Sequence, residues 1–286
     1  MPLTAPQQTI ARLISGNRSP ASHLAGGAGI HIGPDSPRYT NDLDYFHDEE
    51  TLVAQSFQAD RAVLLAAGYR INLLLSQPGF VRALVGKDGA ATKVEWAHDS
   101  AWRFLPPVEN ADVGWQLHPV DLSINKILAL AGRDEPRDFL DTIYVHRQHL
   151  SLGALCWAAV GKDPGYNPAM LVEMLARKGR YQPEDFSNLR LETSPDLPAL
   201  KQIWLRAIDD ARALVRRLPP EDAGCLYLDP VSGKFVTPAE NLSALVRHRG
   251  KPGGILPHVG VDEMLSANPA ARRALTRHYG GNREDG

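Results

Sequence analysis

SHLAGGAGIHIGPDSPRYTNDLDYFHD, residues 22–48, is the stretch whose reading decides the fold. In its second half Asp42-Leu43-Asp44, followed by Tyr45 and Phe46, has the composition of a strand. Strand residues two apart point to one side, so both carboxylates face one pocket while Leu43 faces the core. Such a pair can hold one or two Mg²⁺ ions and leave positions open for phosphate oxygens. A polar edge strand with two solvated acids would look the same. In the first half, Gly27 of the pair Gly26-Gly27 lies fifteen positions ahead of Asp42. Two glycines let the backbone approach a phosphate closely, and a helix start after them would add N–H donors. Arg38 in the intervening turn-rich segment could supply a charge-assisted contact. Periodicity reads AGIHIG as strand or short helix equally well.

Outward from this stretch the chain mixes helix and strand. Residues 5–15 predict a short helix with Ile10, Leu13 and Ile14 on one face, and Glu49 to Ala67 a longer one. Arg70–Leu75, Phe80–Val85 and Ala91–Ala97 read as strands, the last two joined at Lys87-Asp88-Gly89. In the last strand Lys93 and Glu95 share a side opposite Val94 and Trp96. Glu95 could complete a metal triad with Asp42 and Asp44 or act as a base; a solvated Lys–Glu face is the plainer reading.

From residue 119 the pattern turns helical. Helices are expected at Pro119–Ala131, from Asp134 and Pro136 to about Leu150, from Asn167-Pro168, and from Leu197 to Leu218, whose apolar stripe is core. CLYLDPVSGKFVTP reads as a hairpin turning at Asp229 to Gly233. The fold expected is α+β: a mixed-sheet core over 1–118, a helical region over 119–218, and a hairpin with a basic extension over 219–286. From Val246 onward seven Lys/Arg stand against four acids, a solvated tail or a weak RNA-facing patch.

The first two of these helices carry HPVDLSINKILALAGRDEPRDFLDTIYVHR, residues 118–147. Asp121, Asn125 or Lys126, and Arg133 can share a side of the first, and Asp138 and Asp141, three apart, share a face of the second. Phe139, Leu140, Ile143 and Tyr144 are expected on the opposite, buried side. The charges could bind phosphate and orient a metal site, or form a structural salt-bridge network.

Composition limits the rest. With 31 Lys+Arg against 33 Asp+Glu the net charge is −2, which excludes binding nucleic acid through a whole-molecule field. Two cysteines, Cys156 and Cys225, make no disulfide framework or Cys-x-x-Cys site. The N-terminus lacks a secretory pattern, and the most apolar stretch, Leu152 to Val160, is too short to cross a bilayer. A cytoplasmic protein without membrane partners is expected.

Taken in order, GG-x14-D-x-D, a later strand carboxylate, and D-x4-K-x2-A-L-x2-R-x3-R-D-x2-D resemble the AbiEii/AbiGii-type nucleotidyltransferase toxins of the polymerase-β-like superfamily. The resemblance covers residues 20–150. It implies a nucleotidyltransferase-type core with a mainly helical C-terminal region. Asp42 and Asp44 become Mg²⁺ ligands (Mn²⁺ as a substitute) with Glu95 third by strand position; Gly26, Gly27, Arg38, Lys126 and Arg133 meet the nucleotide. Lys126 and Asp138 join Asp42 and Asp44 in catalysis, and Asp121, Arg137 and Asp141 support them. The implied reaction is attack of a hydroxyl on the α-phosphate of an NTP, with the 3′ end of tRNA as acceptor and a cognate antitoxin as partner, in toxin–antitoxin or phage-defence systems. Alternatives are a nucleotide-binding or partner-regulated module without transfer, and transfer to a protein or small-molecule hydroxyl. One departure is Ala28, where superfamily members carry Ser or Thr beside the glycine; Ser36 or Thr40 could supply that hydroxyl.

Overall fold

The computed structural model describes residues 3–33, 36 and 38–257; the tail charges from residue 258 onward lie outside them. Two compact units are present. The first comprises the described residues up to Leu122 together with Gln182–Asp196 and Pro252–Gly254; the second comprises Ser123–Tyr181, Leu197–Lys251 and the described residues from Ile255.

In the first unit, α1 (Ala5–Ile14) opens with a Thr4/Gln7 capping box and buries Ile10, Ala11 and Ile14. Next come β1 (Ser22–Leu24), α2 (Gly26–Ile30), β2 (Asp42–His47) and α3 (Glu50–Ala66). Of the AGIHIG segment left open by its periodicity, Ala28 to Ile30 is therefore helical, and the helix begins at the glycine pair rather than after it. β3 (Arg70–Gln77), β4 (Phe80–Lys87) and β5 (Ala90–His98) form a meander. Asp88 and Gly89 both take positive φ, 52° and 83°, in the turn that the Asp-Gly pair predicts. The short strands β6 (Trp102–Arg103), β7 (Val108–Asn110) and β8 (Gly114–Gln116) follow.

Seven strands make one mixed sheet in the order β3-β4-β5-β2-β1-β8-β7. β2 runs parallel to β5 and antiparallel to β1. That parallel pair needs a crossover, which α3 and the β3–β4 hairpin provide. Leu43, Tyr45, Val81, Ala83, Val85, Val94 and Trp96 point into a core shared with Ile10, Ile14, Val53, Phe57 and Leu64. Within this core lies an ion pair: Arg18 Nη2 is 2.6 Å from Asp60 Oδ1, and both side chains are fully buried. Trp96 Nε1 (2.7 Å) and Asn17 Nδ2 (2.8 Å) also donate to Asp60, and the Arg18 guanidinium lies over the Tyr45 ring. The carboxylate is thereby satisfied from three directions, as a buried charge requires.

The second unit holds the end of α4 (Pro119–Gly132) with α5 (Pro136–Gln148), α6 (Leu152–Lys162), α7 (Pro168–Ala176) and α8 (Leu197–Arg217). The apolar stretch at Leu152 is α6, buried along Leu152–Ala159 and capped by Ser151. Trp204, Ala207, Ile208, Ala211 and Leu214 carry the buried stripe of α8. The expected hairpin is β9 (Leu226–Asp229) with β10 (Lys234–Val236); β11 (Val246–His248) adds on the other side of β9, and β12 (Lys251–Pro252) ends the series. Among the described residues no helix is long and apolar enough to cross a membrane. The architecture is the expected α+β one, a mixed-sheet core followed by a mainly helical region.

Candidate active site

Register builds the site. The parallel β2–β5 pairing sets Asp42 opposite Lys93 and Asp44 opposite Glu95. Because side chains alternate along each strand, Leu43, Val94 and Trp96 go to the core while the charged residues gather on the other face. Ligand oxygens of Asp42, Asp44 and Glu95 all lie within 4.8 Å of one another. Asp42 and Asp44 share one strand, while Glu95 is about fifty residues further along the chain, and only the fold brings it to them.

Two cations accompany them. Lys93 Nζ is 2.8 Å from Asp42 Oδ2 and 3.1 Å from Glu95 Oε1, and Arg82 Nε, from the opposite position on β4, is 2.8 Å from Glu95 Oε1. Burial alone works against the Lys93 charge, but the Asp42 and Glu95 carboxylates outweigh it and hold its pKa above the ordinary lysine value. Lys93 and Arg82 thus set two positive groups against the three carboxylates.

The glycine pair lies directly against this cluster. Gly26 has φ +57°, and a methyl built on it would sit 1.9 Å from Asp44 Oδ2. Only glycine lets the α2 backbone come this close to the carboxylate. A methyl on Gly27 would meet Arg38 Nη2 at 3.0 Å and Thr40 Oγ1 at 3.3 Å. Gly26 and Gly27 are therefore in contact with Asp44 and Arg38 respectively. The loop before β2 is fixed by Thr40 Oγ1 donating to the Asp42 carbonyl (2.9 Å), with Asp42 Oδ1 at 3.2 Å. The Arg38 backbone forms a bridge with Leu191, and Tyr39 N–H donates to the Arg190 carbonyl. Of the two hydroxyls considered, Thr40 is the one on Asp42; Ser36 bonds His31 Nδ1 (2.6 Å) and the Arg38 carbonyl.

Within the second unit, charges of α4 and α5 pair with one another. Lys126 Nζ is 3.0 Å from both Asp138 Oδ1 and Asp141 Oδ2, and Arg133 Nε is 2.6 Å from Asp138 Oδ2. Both aspartate side chains are fully buried. The expectation of a polar α5 face opposite a buried one is thus modified: Phe139 and Ile143 are buried, and so are the two acids. Burial acts to raise the Asp138 pKa, but Lys126 and then Arg133 hold it below the usual carboxylate range. Arg137 is half-buried beside Asp138. Asp121 lies within the first unit and has backbone partners: it is fully buried and accepts from the N–H groups of Phe104 (2.8 Å) and Leu105 (3.0 Å).

Sequence alone identifies neither Lys93 nor Arg82 as a member of the site. Their signal is the strand register, which no local pattern in residues 80–97 reveals.

The donor set suits a hard divalent cation: three carboxylates supply oxygen ligands only, which favours Mg²⁺ or Mn²⁺ over softer metals. The Lys93 ammonium bonded to two of them shows that these oxygens can converge on one positive charge.

No protein-family profile matches the sequence, and no curated protein matches it. Solved structures do. JHP933 from Helicobacter pylori aligns with 16% identity over 74% of this chain and 92% of its own, with a TM-score of 0.48. MenT4, a nucleotidyltransferase toxin from Mycobacterium tuberculosis H37Rv, aligns with 15% identity over 76% of this chain and 83% of its own, with a TM-score of 0.53. At that identity the likeness to MenT4 speaks for architecture: the two chains share a fold.

Proposed function

We propose that this protein transfers a nucleoside monophosphate from an NTP to an acceptor hydroxyl. The observation that carries the reading is the gathering of Asp42, Asp44 and Glu95 within 4.8 Å on adjacent parallel strands of this fold. Asp42, Asp44 and Glu95 are the residues to hold Mg²⁺. When bound, the metal neutralises charge on the reacting phosphate oxygens. Gly26 and Gly27 let the backbone approach the triphosphate, and Arg38, already against Gly27, supplies donors to its non-bridging oxygens. In the reaction the acceptor oxygen bonds to the α-phosphorus and the α–β bridging bond breaks. Pyrophosphate leaves with its electron pair, and the acceptor proton passes to solvent.

The acceptor we propose is the 3′ end of tRNA, and the biological role that of a toxin countered by an antitoxin. The sequence resemblance and the shared MenT4 architecture support this reading. The test is transfer of label from each of the four α-labelled NTPs to total tRNA, with Asp42→Ala and Asp44→Ala as controls. The expected result is labelled tRNA from at least one NTP and none from either variant. Label insensitive to both substitutions, or no labelled RNA from any NTP, refutes it. Labelled protein in place of labelled RNA would assign the alternative acceptor.

A further inference from the structure

Resting on the reading just given, we propose that Lys93 is a displaceable counter-cation: a divalent metal and the Lys93 ammonium compete for Asp42 and Glu95, and the displaced ammonium then contacts the nucleotide triphosphate. The ammonium bonds Asp42 Oδ2 at 2.8 Å and Glu95 Oε1 at 3.1 Å. These two residues supply ligand oxygens to the carboxylate triad. A metal drawing on the same oxygens meets a resident positive charge at short range, where like charges repel strongly. Lys93 can leave, because its side chain is one-third exposed on a flexible four-carbon stem. The Arg82 guanidinium, 2.8 Å from Glu95 Oε1, is a second cation on this carboxylate. The exchange conserves favourable contacts. Metal binding neutralises the acids that Lys93 had neutralised, and a triphosphate brings new anionic oxygens for the released ammonium.

This arrangement gives Lys93 two effects of opposite sign, which a purely structural lysine would not have. The probes are Mn²⁺ alone, followed by electron paramagnetic resonance, and the α,β-methylene analogues of the four ribonucleoside triphosphates at saturating Mn²⁺, followed by calorimetry. In Lys93→Met, Mn²⁺ affinity without nucleotide should rise about three- to tenfold, as expected from removing one partly exposed charge contact. Affinity for the bound analogue should fall by about the same factor. Lys93→Arg keeps the charge and should stay within about twofold of the parent in both measurements, which also controls for folding of the site. Asp44→Asn should abolish Mn²⁺ binding in every background. Equal Mn²⁺ affinity in the parent and Lys93→Met, or unchanged analogue affinity in that variant, overturns the proposal; if Asp44→Asn still abolishes binding, the proposed function survives. Absence of Mn²⁺ binding in the parent overturns both.

Discussion

Replacing Gly26 by alanine would put a methyl group 1.9 Å from Asp44 Oδ2, 2.7 Å from its Cγ and 2.9 Å from its Cβ. Ordinary contact at a Cβ begins at 3.4 Å, so the carboxylate must retreat by roughly 1.5 Å or the start of α2 must move. The left-handed φ of +57° adds about 1–2 kcal/mol for any residue that carries a Cβ. A displacement of about 1 Å in a positioned group can cost around 100-fold in rate. Gly26→Ala should therefore lower nucleotide transfer at least about 100-fold and weaken Mn²⁺ binding in parallel. Backbone strain alone should lower global stability by about 1–2 kcal/mol, or about 2–3 °C in Tm for a chain of 286 residues. Gly27→Ala is the internal comparison. Its methyl meets the far end of Arg38 at 3.0 Å and Thr40 Oγ1 at 3.3 Å, without a positive φ, and a flexible side chain can yield a few tenths of an ångström. Its loss should stay below about tenfold on the same geometric scale. Transfer assays with saturating NTP, melting curves and Mn²⁺ titrations separate the contributions. A Gly26→Ala protein that keeps transfer within threefold of the parent would refute the assignment of Asp44 and the close approach of α2 to it.

Other outcomes follow from the buried charges. Asp60→Asn leaves Arg18 charged and fully buried without its counter-ion and should cost about 3–5 kcal/mol in urea unfolding; a change below 1 kcal/mol would show that the pair does not anchor the core. Lys126→Met leaves two fully buried aspartates with one cation fewer, so unfolding should become about 3–5 kcal/mol easier; an unchanged Tm with lost transfer would instead assign Lys126 a role at phosphate alone. Burial, followed by the nearby Arg18 charge, lowers the His47 pKa from 6.5 to about 4. The folded state therefore keeps His47 neutral while the unfolded chain takes up a proton below pH 6.5, so this contribution is complete above 6.5 and is lost as pH falls toward 4, about 2 kcal/mol of it between pH 7 and 5. Urea titrations across that range should show a shallower pH slope in His47→Gln than in the parent; equal slopes would refute the assignment.

Much of the fold is legible in the chain because it is written in local patterns. Alternation around Leu43 places Asp42 and Asp44 on one face, the Asp88-Gly89 pair marks its turn, and the apolar period of Leu197–Leu218 marks the longest helix. What escapes local reading depends on register and pairing. Nothing in residues 91–97 announces that β5 lies parallel to β2, yet that pairing alone brings Glu95 to Asp44 and Lys93 to Asp42. Asp138 and Asp141 are ambiguous for a related reason. Their spacing is compatible with a phosphate-binding cluster and with a salt-bridge network alike, and the contacts with Lys126 and Arg133 that offset their burial are not visible in the spacing. The three-residue strands β1, β7 and β8 are too short to carry a periodic signal, and Leu191, which pairs with Arg38, lies in a segment with no regular pattern.

The crossover between β2 and β5 also sets when the carboxylate cluster can first exist during synthesis. Asp42 and Asp44 leave the ribosome well before Glu95, with α3 and the β3–β4 hairpin between them. At typical elongation speeds those intervening residues take roughly 3–10 s to make. Throughout that interval the emerging chain carries its glycine pair and two acids but lacks the strand that completes the triad. The nascent protein therefore cannot assemble its proposed metal site until the parallel strand has been made and has docked, so chemical competence is tied to a long-range folding step and arrives late, well after the first motif has been translated.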